Sequence, residues 1–170
     1  MAALPRWFAC PKHAETTWRE GTFAYRVMRG DRADYNEVPL PGDGDIYVAA
    51  WRAINIGSKV CHTSPFLHFT KSMNDARAWL HRAQHGEGPA PADPDAYIVR
   101  TELCRYPPER VIDMSTLAAQ QLFMRGVDVE GAIKKHMCVE KNAPSTLAER
   151  WREVLILGRG RVPQEWLEQV

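Results

Sequence analysis

The segment from Trp151 to Gly158 constrains this chain more than any other. It reads Trp151-Arg152-Glu153-Val154-Leu155-Ile156-Leu157-Gly158, a charged residue opening a wholly apolar run that a glycine closes. Such a run is too short for a helix and reads as a buried strand. Glu153 then stands at the strand's first position, where a side chain can point out of the sheet end into a cleft. Taken alone, a carboxylate there is most simply a solvated strand terminus. Its meaning depends on two earlier stretches.

The chain has 170 residues, 45% of them apolar, which suits one domain with a real core. The formal net charge is +1, so no global field draws nucleic acid in or drives it off, and only a local basic patch could do so. No apolar run approaches the ~20 residues of a membrane span. The first residues lack the basic-then-apolar order of a signal peptide. Cys10, Cys61, Cys104 and Cys138 are scattered without a framework spacing, which fits reduced thiols in a cytosolic protein.

In chain order, residues 1–20 place Trp7, Phe8 and Trp18 among polar residues and read as an arm packed on by its aromatics, with residues 21–170 a single domain. Residues 22–30 form the first clear strand, with Phe23, Tyr25 and Val27 alternating against Ala24, Arg26 and Met28. A charged residue inside a strand costs several kcal/mol to bury unless paired. Arg26 is therefore either an edge-strand residue reaching solvent or an anion receptor in a cleft, since a guanidinium fork suits a diphosphate. Residues 45–54 are ambiguous between strand and helix.

Phe66 to Phe69 reads as a second strand. Ser72 follows as a helix N-cap, with Asp75 completing a capping box. Ala76, Trp79, Leu80 and Ala83 recur at helical spacing, which predicts an amphipathic helix over residues 73–85. His81 and His85 are four apart on it, a spacing metals use, but no H-E-x-x-H order surrounds them and a solvated face is the simpler reading. A proline-rich loop at 86–95 leads to strands at 96–103 and 110–113. Helices are expected from Ser115 or Thr116, from Asp128 and from Ser145, and a last turn at 164–167. Cys10-Pro-Lys-His13 and His136-Met-Cys138 have spacings compatible with halves of a zinc site, yet two lone pairs favour structural roles, and no metal is expected. Helices are not regularly interleaved with strands, so α+β is favoured over a doubly wound sheet. The glycine pattern of a dinucleotide fold and the P-loop lysine are both absent.

Three stretches now stand together: Tyr25-Arg26-Val27, Phe66 to Ser72, and Glu153 to Gly158. Their order and spacing resemble the arginine–serine–glutamate, toxin-like branch of the ADP-ribosyltransferase superfamily over roughly residues 22–166. The resemblance implies two packed, mainly antiparallel sheets with flanking helices, and an intracellular toxin or effector domain that works in the cytoplasm or in the cytosol of a target cell. It implies NAD as substrate, with Arg26, Phe66, His68, Phe69 and Thr70 on the cofactor side and Glu153 as the catalytic residue. Two departures are visible. His68 and Phe69 stand where the family places its first serine and that serine's neighbour, leaving Thr70 as the hydroxyl of the triplet. Trp151 stands where arginine-modifying members carry a second glutamate.

The chemistry suits these residues in its own right. Cleaving the nicotinamide–ribose bond passes through an oxocarbenium-like transition state. A carboxylate facing the developing charge lowers that barrier, the role implied for Glu153. Arg26 on the diphosphate would position the bond, and Phe66, Phe69 or Trp51 could stack on nicotinamide. On the acceptor side Trp151 can stack on a planar base, with Arg150, Arg152, Arg159 and Arg161 near phosphates. The acceptor would be a protein or a nucleic acid. Two other readings stay open: a catalytically inactive domain of this fold that binds a nucleotide, a protein or nucleic acid, and an NAD glycohydrolase with water as acceptor.

Overall fold

Strand Glu153–Leu157 lies inside the sheet with every residue buried. The computed structural model describes residues 18–30, 50, 53, 65–87, 90–116, 118–119, 150, 152–158 and 162–170. Among them the strands are β1 (Phe23–Met28), β2 (Phe66–Thr70), β3 (Tyr97–Glu102), β4 (Val111–Asp113), β5 (Glu153–Leu157) and β6 (Glu168–Gln169), and α1 is Met73–His85. They form one six-stranded sheet in the order β4-β5-β2-β1-β3-β6, with every neighbouring pair antiparallel. The α+β class expected from the sequence holds.

Two covered faces explain why β5 lacks polar alternation. On one face Leu67, Phe69, Val111, Val154 and Ile156 join Ala24, Leu103, Tyr106 and Val162 in a core cluster, with Trp18, Trp166 and Leu167 packed against it. On the other face Phe66, Ile112, Leu155 and Leu157 are no more than 2% exposed. Each such side chain contributes about 1.5–3 kcal/mol on leaving water. Tyr106 keeps its hydroxyl satisfied within the core through Thr101 Oγ1 at 2.7 Å, and burial pushes its phenol above the ordinary value. Trp166 meets its ring edge-on, 5.0 Å between centroids.

The ladders differ sharply in extent. β1 pairs with β3 over six positions and β2 with β5 over five, from Phe66 opposite Leu157 to Thr70 opposite Glu153. Between β1 and β2 the one paired position is Tyr25 opposite Thr70. Where two packed sheets were expected, the described strands form one hydrogen-bonded order that nearly divides in two at this seam. The edge-strand reading of Arg26 fails, because β1 lies between β2 and β3.

α1 has the boundaries and the Ser72 N-cap that the sequence predicts, with one half of the capping box formed. Ser72 Oγ accepts from the Asp75 N–H at 3.2 Å, half of the expected box. The Ser72 N–H donates to Thr70 Oγ1 at 3.0 Å, and the Asp75 carboxylate accepts instead from Arg152 Nη1 at 3.1 Å. The helix start is thereby tied to the residue before β5. His81 and His85 stack on each other at 4.2 Å, and the His81 side chain is 61% exposed, as a solvated face requires.

β6 has no counterpart in the sequence reading. Two polar residues carry no periodicity, and pairing creates the strand: Arg100 lies opposite Glu168, its Nε donating to Glu168 Oε2 at 2.8 Å, and the Val170 N–H donates to the Ile98 carbonyl. Thr116 does act as a cap, its Oγ1 accepting from the Ala119 N–H. Ala50 and Ala53, the two described residues of the ambiguous stretch, are helical and buried. Of the expected N-terminal arm, Trp18 is described and packs on the core. Residues 1–17 of the arm and the expected helices over 120–149 lie outside the described residues.

Candidate functional site

Three strands carry the side chains singled out above. Alternation along β2 sends Phe66, His68 and Thr70 to one side and Leu67 and Phe69 to the other. Paired residues share a face, so Tyr25, Thr70 and Glu153 stand side by side across β1, β2 and β5. The neighbouring strands hold the Glu153 backbone firmly. Its carbonyl accepts from the Met114 N–H at 3.0 Å, and the Arg152 carbonyl accepts from the Lys71 N–H at 3.0 Å.

His68 and Glu153 meet directly, with Nδ1 2.5 Å from Oε1. An ionised carboxylate only accepts, so Nδ1 carries the hydrogen and donates it. The Glu153 side chain is 11% exposed and that of His68 20%, which leaves the pair half-shielded at one end of β5. His68 Nε2 is buried and has no hydrogen-bond partner. Leaving a buried polar atom unpartnered costs about 1–3 kcal/mol, so its occurrence next to a short charge-bearing contact marks the position.

Arg152, immediately before Glu153, has φ of +49°. A left-handed conformation costs a non-glycine residue about 1–2 kcal/mol. Residue 150 is helical and β5 begins at 153, so this residue makes the turn that starts the strand at Glu153. Strain of this kind persists where surrounding bonds over-determine it, and the Arg152–Asp75 pair and the Arg152 carbonyl bond are two such constraints here.

Arg26 Nη1 donates to the His68 carbonyl at 2.8 Å. The bond crosses the seam where β1 and β2 leave their ladder open. Arg26 thus reaches the backbone that carries His68. Thr70 is fully buried opposite Glu153. Phe66 is 2% exposed on the His68 side of β2. Phe69 is fully buried in the core cluster on the opposite side, so the structure does not bring it to His68 and Glu153. The expected acceptor-side Trp151, along with Trp51, Arg159 and Arg161, lies outside the described residues, as do Cys10, His13, Cys61, His136 and Cys138. Arg152 is described and is engaged by Asp75.

Two charged groups that brace the strands, Lys71 near the Glu153 end of β5 and Arg110 at its opposite end, were missed in the sequence. Lys71, just past β2, places Nζ 2.7 Å from Asp113 Oδ2 and 4.6 Å from the centre of the Trp18 ring. Asp113 also accepts from the N–H and Oγ of Ser115. Arg110 is 7% exposed and donates Nε and Nη2 to the Leu157 carbonyl at 2.9 and 2.7 Å. Both contacts join residues more than forty positions apart, a distance over which no local spacing carries a signal.

Among the described residues no group of three or more His, Cys, Asp or Glu is placed to hold a metal, and no helix is long and apolar enough to cross a membrane. No family model, curated protein or solved structure matches the chain.

Proposed function

We propose that the chain is an NAD-dependent ADP-ribosyltransferase that transfers ADP-ribose to a macromolecular acceptor and releases nicotinamide. The observation that carries this reading is the His68–Glu153 contact at the start of β5, 2.5 Å long and flanked by buried Thr70. It joins two of the stretches that carry the resemblance, with His68 in the place of the family's first serine and Glu153 as the implied catalytic residue.

In this reading Glu153 faces the ribose as positive charge develops at its anomeric carbon and stabilises it electrostatically. Arg26 grips the diphosphate and so positions the bond to be broken. Phe66 and Thr70 form the wall behind His68. The electron pair of the breaking bond returns to the pyridinium nitrogen, so nicotinamide departs neutral and the leaving group needs no acid.

The test is nicotinamide release from NAD by the full chain, run beside titration calorimetry with NAD. Release, with the adenine label retained on a protein or nucleic acid, supports transfer. Release with free ADP-ribose as the one product identifies a glycohydrolase. NAD binding without release leaves a binding module of the same fold, and absence of both overturns the reading.

A further inference from the structure

We propose that His68 is a catalytic base, whose Nε2 takes the proton from an oxygen nucleophile, water or a hydroxyl, as it attacks the ribose. The inference rests on the ADP-ribosyl-transfer reading above and adds the class of acceptor to it. Glu153 Oε1 accepts from His68 Nδ1 at 2.5 Å. That bond fixes the tautomer: with hydrogen on Nδ1, the neutral ring carries its lone pair on Nε2. Nε2 is the atom that is buried with no partner, while the side chain as a whole keeps a fifth of its surface open. A carboxylate behind an imidazole, with the far nitrogen unoccupied, is the arrangement by which a histidine is oriented as a base and its protonated form stabilised. A serine at this position could hold the glutamate but offers no such base.

The backbone that carries the ring is also held. Arg26 on β1 donates to the His68 carbonyl, and His68 lies opposite Leu155 in the ladder with β5, so its backbone is fixed from both sides. The acceptor oxygen forms a bond to the anomeric carbon of the ribose, and the bond from that carbon to the nicotinamide nitrogen breaks with its electron pair going to the ring. The acceptor's proton passes to His68 Nε2 and from there to solvent. Glu153 bears the resulting imidazolium through Oε1 and leaves its second oxygen toward the ribose. No metal, oxidant or reductant enters.

The variants His68→Asn and His68→Gln in the full chain test this. The asparagine amide can still donate to Glu153 from the Nδ1 position, and neither variant has a base. With wild-type protein releasing nicotinamide, both variants are expected to bind NAD within about twofold by calorimetry and to release nicotinamide about a hundredfold or more slowly. Azide carries no proton, so adding it should restore release in the variants with ADP-ribosyl azide as product, while leaving Glu153→Gln unrescued. Free ADP-ribose from wild type identifies water as the acceptor, and adenine label on a macromolecule identifies its hydroxyl. Unimpaired release by either folded variant, or slow release that azide fails to restore in both, overturns the base. Should neither variant fold, His68→Ser with azide and with added imidazole is decisive: rescue by both supports the base, and its absence refutes it. A wild-type chain that neither binds nor cleaves NAD defeats the underlying reading instead.

Discussion

The two ends of β5 are built alike and behave differently. Each has a left-handed residue at its margin: Arg152 at φ +49° before the strand and Gly158 at φ +93° after it. Each also has a cationic or potentially cationic side chain lying across it. At the Gly158 end the guanidinium of Arg110 is buried and sends two donors into the Leu157 carbonyl. The left-handed residue is a glycine, and an added Cβ would stand 2.6 Å from Arg110 Nη2. At the Glu153 end the left-handed residue is an arginine, and the crossing imidazole keeps one buried nitrogen without a partner. One end is saturated and relaxed, the other strained and incomplete. Fold-preserving contacts tend to the first condition and binding sites to the second.

The comparison is most exposed to Glu153→Gln. The amide still accepts from His68 Nδ1, so the fold and NAD affinity should survive, while loss of charge should slow nicotinamide release by about a hundredfold or more. A wild-type rate would reduce the Glu153 end to a second structural joint. Next in size is Gly158→Ala. Left-handed strain of about 1–2 kcal/mol joins the displacement of Arg110 from a buried carbonyl, so unfolding in urea should show a loss of about 2–4 kcal/mol. An unchanged midpoint would mean that the saturated end is looser than its hydrogen bonds imply.

Arg152→Gly should act quite differently at the other margin. Relief of backbone strain is opposed by glycine's greater unfolded-state freedom and by loss of the exposed Asp75 pair. Stability should change by less than about 1 kcal/mol, and a loss comparable to that of Gly158→Ala would erase the asymmetry. The smallest expected effect lies away from β5 and provides its reference. The Arg100 N–H holds the Glu168 carboxyl below its ordinary range. A lowered carboxyl contributes stability above its unfolded pKa and loses it as pH falls through the folded value. As pH falls below the ordinary carboxylate range the β3–β6 edge should therefore fray first, seen as faster amide exchange at Val170, whose N–H donates to Ile98, with β5 still protected. Simultaneous exchange of both would show that no such gradient exists.

Much of this was legible in the sequence where a periodicity or a cap carried it. The all-apolar β5, the alternation of β1, and α1 with Ser72 before it have local signals. The capping box was half read, because Asp75 lies three residues from Ser72 in the chain yet has Arg152 as its side-chain partner in the folded protein. β6 and the Arg110–Leu157 and Lys71–Asp113 contacts were not legible, since pairing across long separations determines them. The site divides along the same line. The motif order brings forward Glu153, His68 and Arg26, but it lists Phe69 beside His68, and one step along a strand turns that ring into the core. That His68 would lean on Glu153 with its far nitrogen unoccupied is a property of register, Thr70 opposite Glu153, which no single segment contains.

β5 sits between β2 and β4 although it is the last of the three to be made. During synthesis β2 and β4 leave the ribosome with facing edges and no strand to fill the gap between them. Until residue 157 is available those edges are open to pairing with other chains, and the nascent protein depends on remaining unpaired for that interval. The strand that closes the gap also brings Glu153 with it. A chain arrested or clipped before that point thus lacks both an interior strand of its sheet and its proposed catalytic carboxylate, so turnover of NAD would itself report that the sheet has been completed.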